Sequence, residues 1–514
     1  MKLPLVAGVL ALSACSILYN PNNLGDPQAP DAALDAPPDL PTDMPADVAI
    51  DAPPDLPTDA PPDAPLLAVA SSTPGTVVEG TGAGGSRPLV LILNGTNLID
   101  PAIVIDQIND GGTMRMVPID GLPVVSGDHT KVAISIHVPV LTATAEFGSQ
   151  PMHLTITQFG FSTTLDVNIT GLAELEPVAA TIDSATLRPL YSRAKFNNPL
   201  HFSGTAAAQI RVTSDIEITD VVQADAVGTT PGANGCFAGG ANAAGGCAGM
   251  GGGAGITSGL SGFAGGGGGF GAVGSGGSGA NGAAGGPMTG DALLTSLTST
   301  AGTAGNRGNG GGGGGNATTG NGGPGGAGGG VIELTADGSI SVSGAGKIRA
   351  AGGAGTAGGP LGGGGGGGGS GGALVIRSGA GITGTTSFAT VPGGAGAQNG
   401  GAGAVGRIRI DTPSSTASPS SPVAARGAAW ATTAPTLVTT ANTSAVLLGA
   451  TMQAYGVYLN GAALTSVTTM TGMATVVVNG LNPGANTLCA TVAPGVLPSV
   501  LESTRCITIT YLVP

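Results

Sequence analysis

The sequence predicts a mainly β, multidomain protein: β-sandwich modules flank a glycine-rich, β-helix-like repeat region, all behind a disordered N-terminal tether. Three observations carry this expectation. Short runs of alternating apolar and polar residues recur along the chain between Gly, Asn and Pro, the pattern of strands and turns. Of the 97 glycines, 72 fall between Pro231 and Ile410. Only 9% of the 514 residues are charged and 3% aromatic, which no single ordinary globular domain matches.

The first element is an address. Residues 1–15 place one cation, Lys2, ahead of an apolar run from Leu3 to Leu12, then the small residues Ser13 and Ala14. That is the layout of an export signal, and the run is shorter than the roughly 20 residues a spanning helix needs. Leu12, Ser13, Ala14 and Cys15 resemble the bacterial lipobox. The resemblance implies cleavage before Cys15 and acylation of its thiol, and two or three acyl chains make a stable anchor. Ser16 follows the cysteine, which in enteric bacteria implies sorting to the outer membrane. The expected location is therefore the cell envelope, lipid-anchored, at the outer membrane or surface of a Gram-negative bacterium.

Residues 16–65 read as a tether. Asn20–Pro65 contains ten Asp and thirteen Pro, with no Lys, Arg or Glu, and from Asp31 to Asp63 an aspartate recurs every fourth residue. Proline fixes φ and removes donors, so the stretch is expected to be extended, reaching on the order of 140 Å. On a three-residue helix a period of four sends successive carboxylates to different sides, so they do not converge on one calcium ion. This segment carries most of the formal charge of −14; without it and Lys2 about −5 remains. No basic patch exists for nucleic acid, and none is expected as a partner.

Residues 66–176 carry strand patterns at Leu89–Leu93, Ile103–Asp106, Val132–Val138 and Met152–Thr157. Their spacing suggests a β-sandwich. The TPG of Thr73–Gly75, the VLILNGTNL of Val90–Leu98, the VP of Val138–Pro139 and the last strand near Met152–Thr157 resemble the IPT/TIG immunoglobulin-like domain. Leu98 stands where that family has Phe, and Gly80–Arg87 reads as an insertion. The resemblance implies a fold used for spacing or for ligand contact more than one function.

Residues 177–411 form the glycine-rich β-repeat region. Three triplets of short strands stand out. The first is Gln209–Val212, Ile216–Thr219 and Val222–Asp225; the second is Val331–Leu334, Ser339–Val342 and Lys347–Ala350. The third is Ala373–Ile376, Ala380–Gly384 and Ser387–Val391, and Arg407–Asp411 opens a fourth unit. A glycine-rich excursion follows each triplet. Units too short to bury a core alone must stack, as the rungs of a solenoid do. The irregular glycine spacing favours loose coil for the excursions over bundled polyproline-II strands, in which only glycine permits backbone contact.

Residues 412–433, rich in Ser, Thr, Ala and Pro and holding the only Trp, Trp430, read as a linker. Residues 434–514 are strand-patterned again, and LNPGANTLCATV (Leu481–Val492) resembles a late strand of bacterial immunoglobulin-like domains. Four cysteines remain beyond Cys15: Cys236 and Cys247, Cys489 and Cys506. In an oxidising exterior two local disulfides are the natural reading; zinc is the rival, but no His is near and no C-x-x-C spacing is present.

No catalytic signature emerges. Gly368–Gly372 fits G-x-S-x-G around Ser370 but lacks the hydrophobic strand and helix of a nucleophile elbow. Gly344–Lys347 lacks the glycine spacing and helix of a phosphate loop. His129, His137, His153 and His201 are scattered, with His137 and His153 on sandwich strands. Glu217, Asp220, Asp225 and Glu333 lie on the proposed rungs with Lys347, Arg349 and Arg377, where β-helix enzymes place carboxylates for cutting polysaccharides. The expectation is no enzyme, no cofactor and no metal site. The function expected is adhesion, envelope structure or surface display, with the membrane, through lipid on Cys15, and a polysaccharide or cell-surface protein as partners. The alternative is a carbohydrate-active or carbohydrate-binding protein using the rung surface. The combination of lipobox, tether, IPT/TIG-like module and glycine-rich repeats is similar to glycine-rich surface lipoproteins of Gram-negative soil bacteria.

Overall fold

The computed structural model describes residues 66–79, 86–139, 141, 148–247, 251–258, 261–279, 281–295, 297, 306–384, 387–415, 422–432, 436–492 and 506–513. Cys15, the tether and part of residues 412–433 lie outside these. The protein is mainly β, built from several sheets, and the described residues contain no α-helix.

The first module encloses one core between two four-stranded sheets. One sheet is built on the antiparallel pair Ser86–Thr96 and Lys131–Pro139, the other on Ser149–Gln158 and Phe161–Thr170. Alternation does the work: Leu91, Leu93, Ile134 and Ile136 face inward against Met152, Leu154, Ile156, Val167 and Ile169. Each such burial contributes about 1.5–3 kcal/mol.

The central region is a stack of three parallel sheets, and each unit of the chain gives one strand to each. Ala208–Val212, Val331–Ala336, Ala373–Ser378 and Arg407–Asp411 lie side by side in the first sheet. Ile216–Ile218, Ser339–Val342 and Gly381–Gly384 do so in the second; Val221–Gln223, Lys347–Arg349 and Ala389–Thr390 in the third. Two further strands, Ala194–Phe196 and Leu200–Ser203, extend the second and third sheets at the N-terminal end. In-register pairing places like residues above one another: Ile210, Leu334, Ile376 and Ile410 in one column, Ile216, Ile340 and Ile382 in another. These columns meet in one core with Phe196, Phe202 and Phe388.

The glycine-rich excursions leave the third sheet and return to the first, at one corner. The expectation of loose coil does not hold for the described residues. Residues 362–372 make backbone hydrogen bonds to six neighbouring segments. The amides of Gly364, Gly367 and Ser370 donate to Gly315, Gly312 and Asn309, while the carbonyls of the same three residues accept from Gly323, Gly326 and Gly329. The carbonyls of Gly362, Gly365 and Gly368 accept from Gly262, Gly265 and Gly268; Gly368 and Gly371 donate to Gly401 and Ala404. Gly366 and Gly369 donate to Thr356 and Gly353 and accept from Ala397 and Gly394. Every contact repeats at three residues, the period of a polyproline-II helix. The bundle is thus hexagonal, with six neighbours around a central strand. A Cβ on Gly312 would stand 2.0 Å from the Gly253 carbonyl oxygen, and one on Gly367 2.1 Å from that of Gly266. Irregular spacing is no obstacle, because nearly all interior positions are glycine whichever strand they come from, and no Gly-X-Y register is needed.

The bundle is seated on the stack. Phe270, Leu294 and Leu297 from the first excursion cover Val331, Ala373 and Val375 on the outer face of the first sheet. The strands Val331–Ala336 and Ala373–Ser378 are consequently buried on both faces. Residues 66–514 cluster as one unit. In the last module Gly484–Thr491 pairs with both Gln453–Leu459 and Cys506–Tyr511. Trp430, from the segment expected as a linker, is buried in that module's core with Leu447, Tyr455, Val476 and Leu488. Val90, Ile92 and Ala133 of the first module touch Leu512 of the last.

Candidate functional site

Four cysteines form two disulfides. Cys236–Cys247 ties two adjacent strands at the base of the bundle, and Cys489–Cys506 joins directly opposed residues of the last two strands. Cys15 lies outside the described residues. Among those residues no group of three or more potential metal ligands is present, and no helix is long and apolar enough to cross a membrane.

The carboxylates expected on the rung surface do not converge. Glu217, on the second sheet, pairs with Arg193 at 2.6 Å. Asp225 pairs with Arg349 at 3.0 Å and accepts the Ala351 amide at 2.7 Å, while Asp220 accepts the amide of Val221 at 2.7 Å. Lys347 is exposed on the third sheet. Glu333 and Arg377 sit instead on the outer face of the first sheet, so Glu333, Lys347 and Arg349 line no common cleft.

On that outer face charges from successive units join in a buried chain. Gln209 donates to Glu333 Oε2 at 2.8 Å, and Arg377 donates from Nη1 to Glu333 Oε1. Arg377 Nε also donates to Asp411 at 3.1 Å, and Asp411 receives both Nε and Nη2 of Arg409 at 2.9 Å. Arg409 ends the chain on the Leu293 and Leu294 carbonyls. Burial opposes the charge on Arg377, but the carboxylates of Glu333 and Asp411 outweigh it, and its pKa is raised. Both Glu333 oxygens are engaged, one by Gln209 and one by Arg377.

The remaining motif residues are structural in their surroundings. Ser370 is fully buried in the bundle, where its Oγ accepts the Asn309 amide at 2.8 Å. His137 meets Asp120 at 2.6 Å and His153 meets Asp166 at 2.5 Å across exposed strands of the first module. His201, half-buried on the third sheet, has its pKa lowered by burial, with Asp225 opposing.

Two concavities among the described residues bear on function. A groove of about 420 Å³ lies on the first sheet beside the loop of Ser184–Pro189, with Gln209, Arg211, Glu333 and Thr335 along it. Arg211 Nε is buried there without a partner. The other, about 530 Å³, lies at the tip of the bundle, where Ser261–Ala264, Ser278, Pro360 and Gln398–Asn399 come together from four separate segments. The sequence reading missed this second group. Its signal is the interruption of glycine tracts by hydroxyl and amide residues, which mark where the strands turn. No protein-family model, curated protein or solved structure matches the chain.

Proposed function

We propose that this chain is a non-catalytic, lipid-anchored protein of the Gram-negative cell envelope, acting in adhesion, envelope structure or surface display. The observation that carries the reading is the disposition of charge. The rung carboxylates Glu217, Asp225 and Glu333 are each held by an arginine, while the bundle projects an uncharged tip about 30 Å beyond the first sheet, at 3.1 Å per residue over Gly362–Gly372. Such a molecule is suited to contact rather than turnover. In finer terms, the three-sheet stack is read as a β-helix, and the two flanking modules as immunoglobulin-like sandwiches, the first of the IPT/TIG type. Lipid on Cys15 fixes the base, and the Asp/Pro segment gives reach.

A second reading is favoured by the groove beside Arg211, whose guanidinium is 38% exposed and stands 4.0 Å from Asp337: binding of a carbohydrate bearing carboxylate or sulfate at the rung surface. Incubation of the protein with a panel of polysaccharides separates binding from turnover, and release of shortened products would overturn the non-catalytic reading. Membrane fractionation of Cys15→Ala, with mass spectrometry of the N-terminal peptide, tests the anchor. Retention of the variant in the membrane fraction would sink it.

A further inference from the structure

We propose that the tip of the glycine bundle is a binding site for a neutral saccharide. The inference rests on the adhesive reading and names its contact surface and ligand class. The tip concavity is framed by Ser261, Phe263, Ser278, Pro360, Gln398 and Asn399. Three of these side chains, Ser261, Ser278 and Asn399, make no hydrogen bond among the described residues, and all three are exposed. The Gln398 amide is held in place because its Oε1 accepts the Gly358 amide at 2.7 Å, while its NH₂ group makes no hydrogen bond among the described residues. The Ser278 amide donates to the Asn399 carbonyl at 2.7 Å, which fixes these two segments against each other.

Backbone conformation gives an independent argument. Gln398 and Asn399 have φ of 40° and 70°, in the left-handed region where glycine is the unstrained choice. The turn is closed by the Gly400 amide on the Ala397 carbonyl at 2.7 Å, and after glycine Asn takes this conformation most readily, so the turn sets two amide side chains next to each other at the tip. Hydroxyls and amides that both donate and accept, beside the half-buried ring of Phe263, match the alternating hydroxyl and C–H faces of a sugar. Charge selects the class. Residues 351–372 and 391–406 hold no charged residue, and 231–330 hold only Asp291 and Arg307. Arg307 is tied to Asn234 at the base of the bundle and Asp291 caps Leu293 and Thr295. Nothing at the tip compensates the charge of a uronate, a sulfate or a phosphate.

The test uses the full-length chain in detergent on immobilised neutral glucans, mannans and galactans alongside alginate and a sulfated galactan. The expected result is retention on at least one neutral glycan, reduced tenfold or more in Asn399→Gly combined with Ser278→Ala and unchanged in Lys347→Ala. Thermal unfolding of the double variant should not be lowered, since glycine relieves the backbone at 399, so loss of binding is not loss of fold. Retention on the acidic glycans alone, or neutral binding that survives the double variant and disappears in Arg211→Ala, would overturn the tip assignment. Attachment of cells carrying or lacking the protein to the same surfaces tests the adhesive reading separately. If attachment depends on the protein but not on Asn399 and Ser278, the tip proposal fails while adhesion stands.

Discussion

The β stack and the glycine bundle solve the same problem with opposite materials. In the stack, side chains fill the interior: columns of Ile, Leu and Phe close over one another, and burial supplies the driving force. In the bundle the interior is mostly backbone, with few enclosed side chains such as Ser370, Asn309 and Ala327. Strands approach until backbone meets backbone, and their amides and carbonyls are satisfied laterally by hydrogen bonds worth about 0.5–1.5 kcal/mol net each. The comparison teaches that a low-complexity tract need not be unfolded when its neighbours supply the missing partners.

The sharpest way to break the comparison is to give the bundle one methyl group. Gly312→Ala drives a Cβ against the Gly253 carbonyl at 2.0 Å, and backbone held on all sides cannot turn away. The cost should exceed the roughly 1–3 kcal/mol of ordinary overpacking, read as a large fall in the urea midpoint. Gly240→Ala, whose Cβ meets nothing within 4 Å, should leave that midpoint within error. If both variants behave alike, the bundle is not packed through its glycines.

Next in size is the joint between the two regions. Arg377→Met removes the cation shared by Glu333 and Asp411, both buried. Asp411 keeps Arg409, but Glu333 is left buried without a cation, which costs about 3–5 kcal/mol, and denaturant unfolding of the variant measures it. An unchanged midpoint would mean that the chain of charges is idle. In the stack itself Ile376→Val trims one methylene from a core column and should cost about 0.5–1.5 kcal/mol, the scale of an ordinary core and well below that of Gly312→Ala.

The smallest expected effect depends on pH. Burial holds the His201 pKa below its ordinary 6.5, so the unfolded chain takes up a proton more readily than the folded one. Its contribution is therefore complete above pH 6.5 and is lost as pH falls from there through the lowered folded value. His201→Gln should flatten the thermal midpoint over that window. A slope that persists in the variant would assign the dependence to another group.

Strand positions in the stack were legible because period-two alternation survives even in short units. The predicted Val331–Leu334, Ser339–Val342 and Arg407–Asp411 differ from the observed strands by two residues at most. The strands Ala194–Phe196 and Leu200–Ser203 went unread, since no glycine-rich excursion follows them to mark a repeat unit. Glu333 and Arg377 read as surface charges because alternation names a face but not what covers it, and the cover comes from Phe270 and Leu294, far away in sequence. For the bundle, composition indicated disorder, because an isolated glycine strand has no partner and its ordering entropy is unopposed. Only the corner placement of all three excursions, visible once the sheets are paired, brings the strands together. The tip residues Gln398 and Asn399 were unreadable for the same reason: their neighbours come from other excursions.

The lateral hydrogen bonding of the bundle has a thermal consequence. Apolar burial weakens on cooling and gives unfolding a positive heat-capacity change, whereas exposing amide surface changes heat capacity with the opposite sign. The stack should therefore lose part of its hold in the cold while the bundle keeps its own. Calorimetry would find a heat-capacity increment per residue below the usual value of about 12–15 cal/mol/K. A protein whose outermost part is built this way keeps that part rigid at temperatures where hydrophobic cores begin to soften.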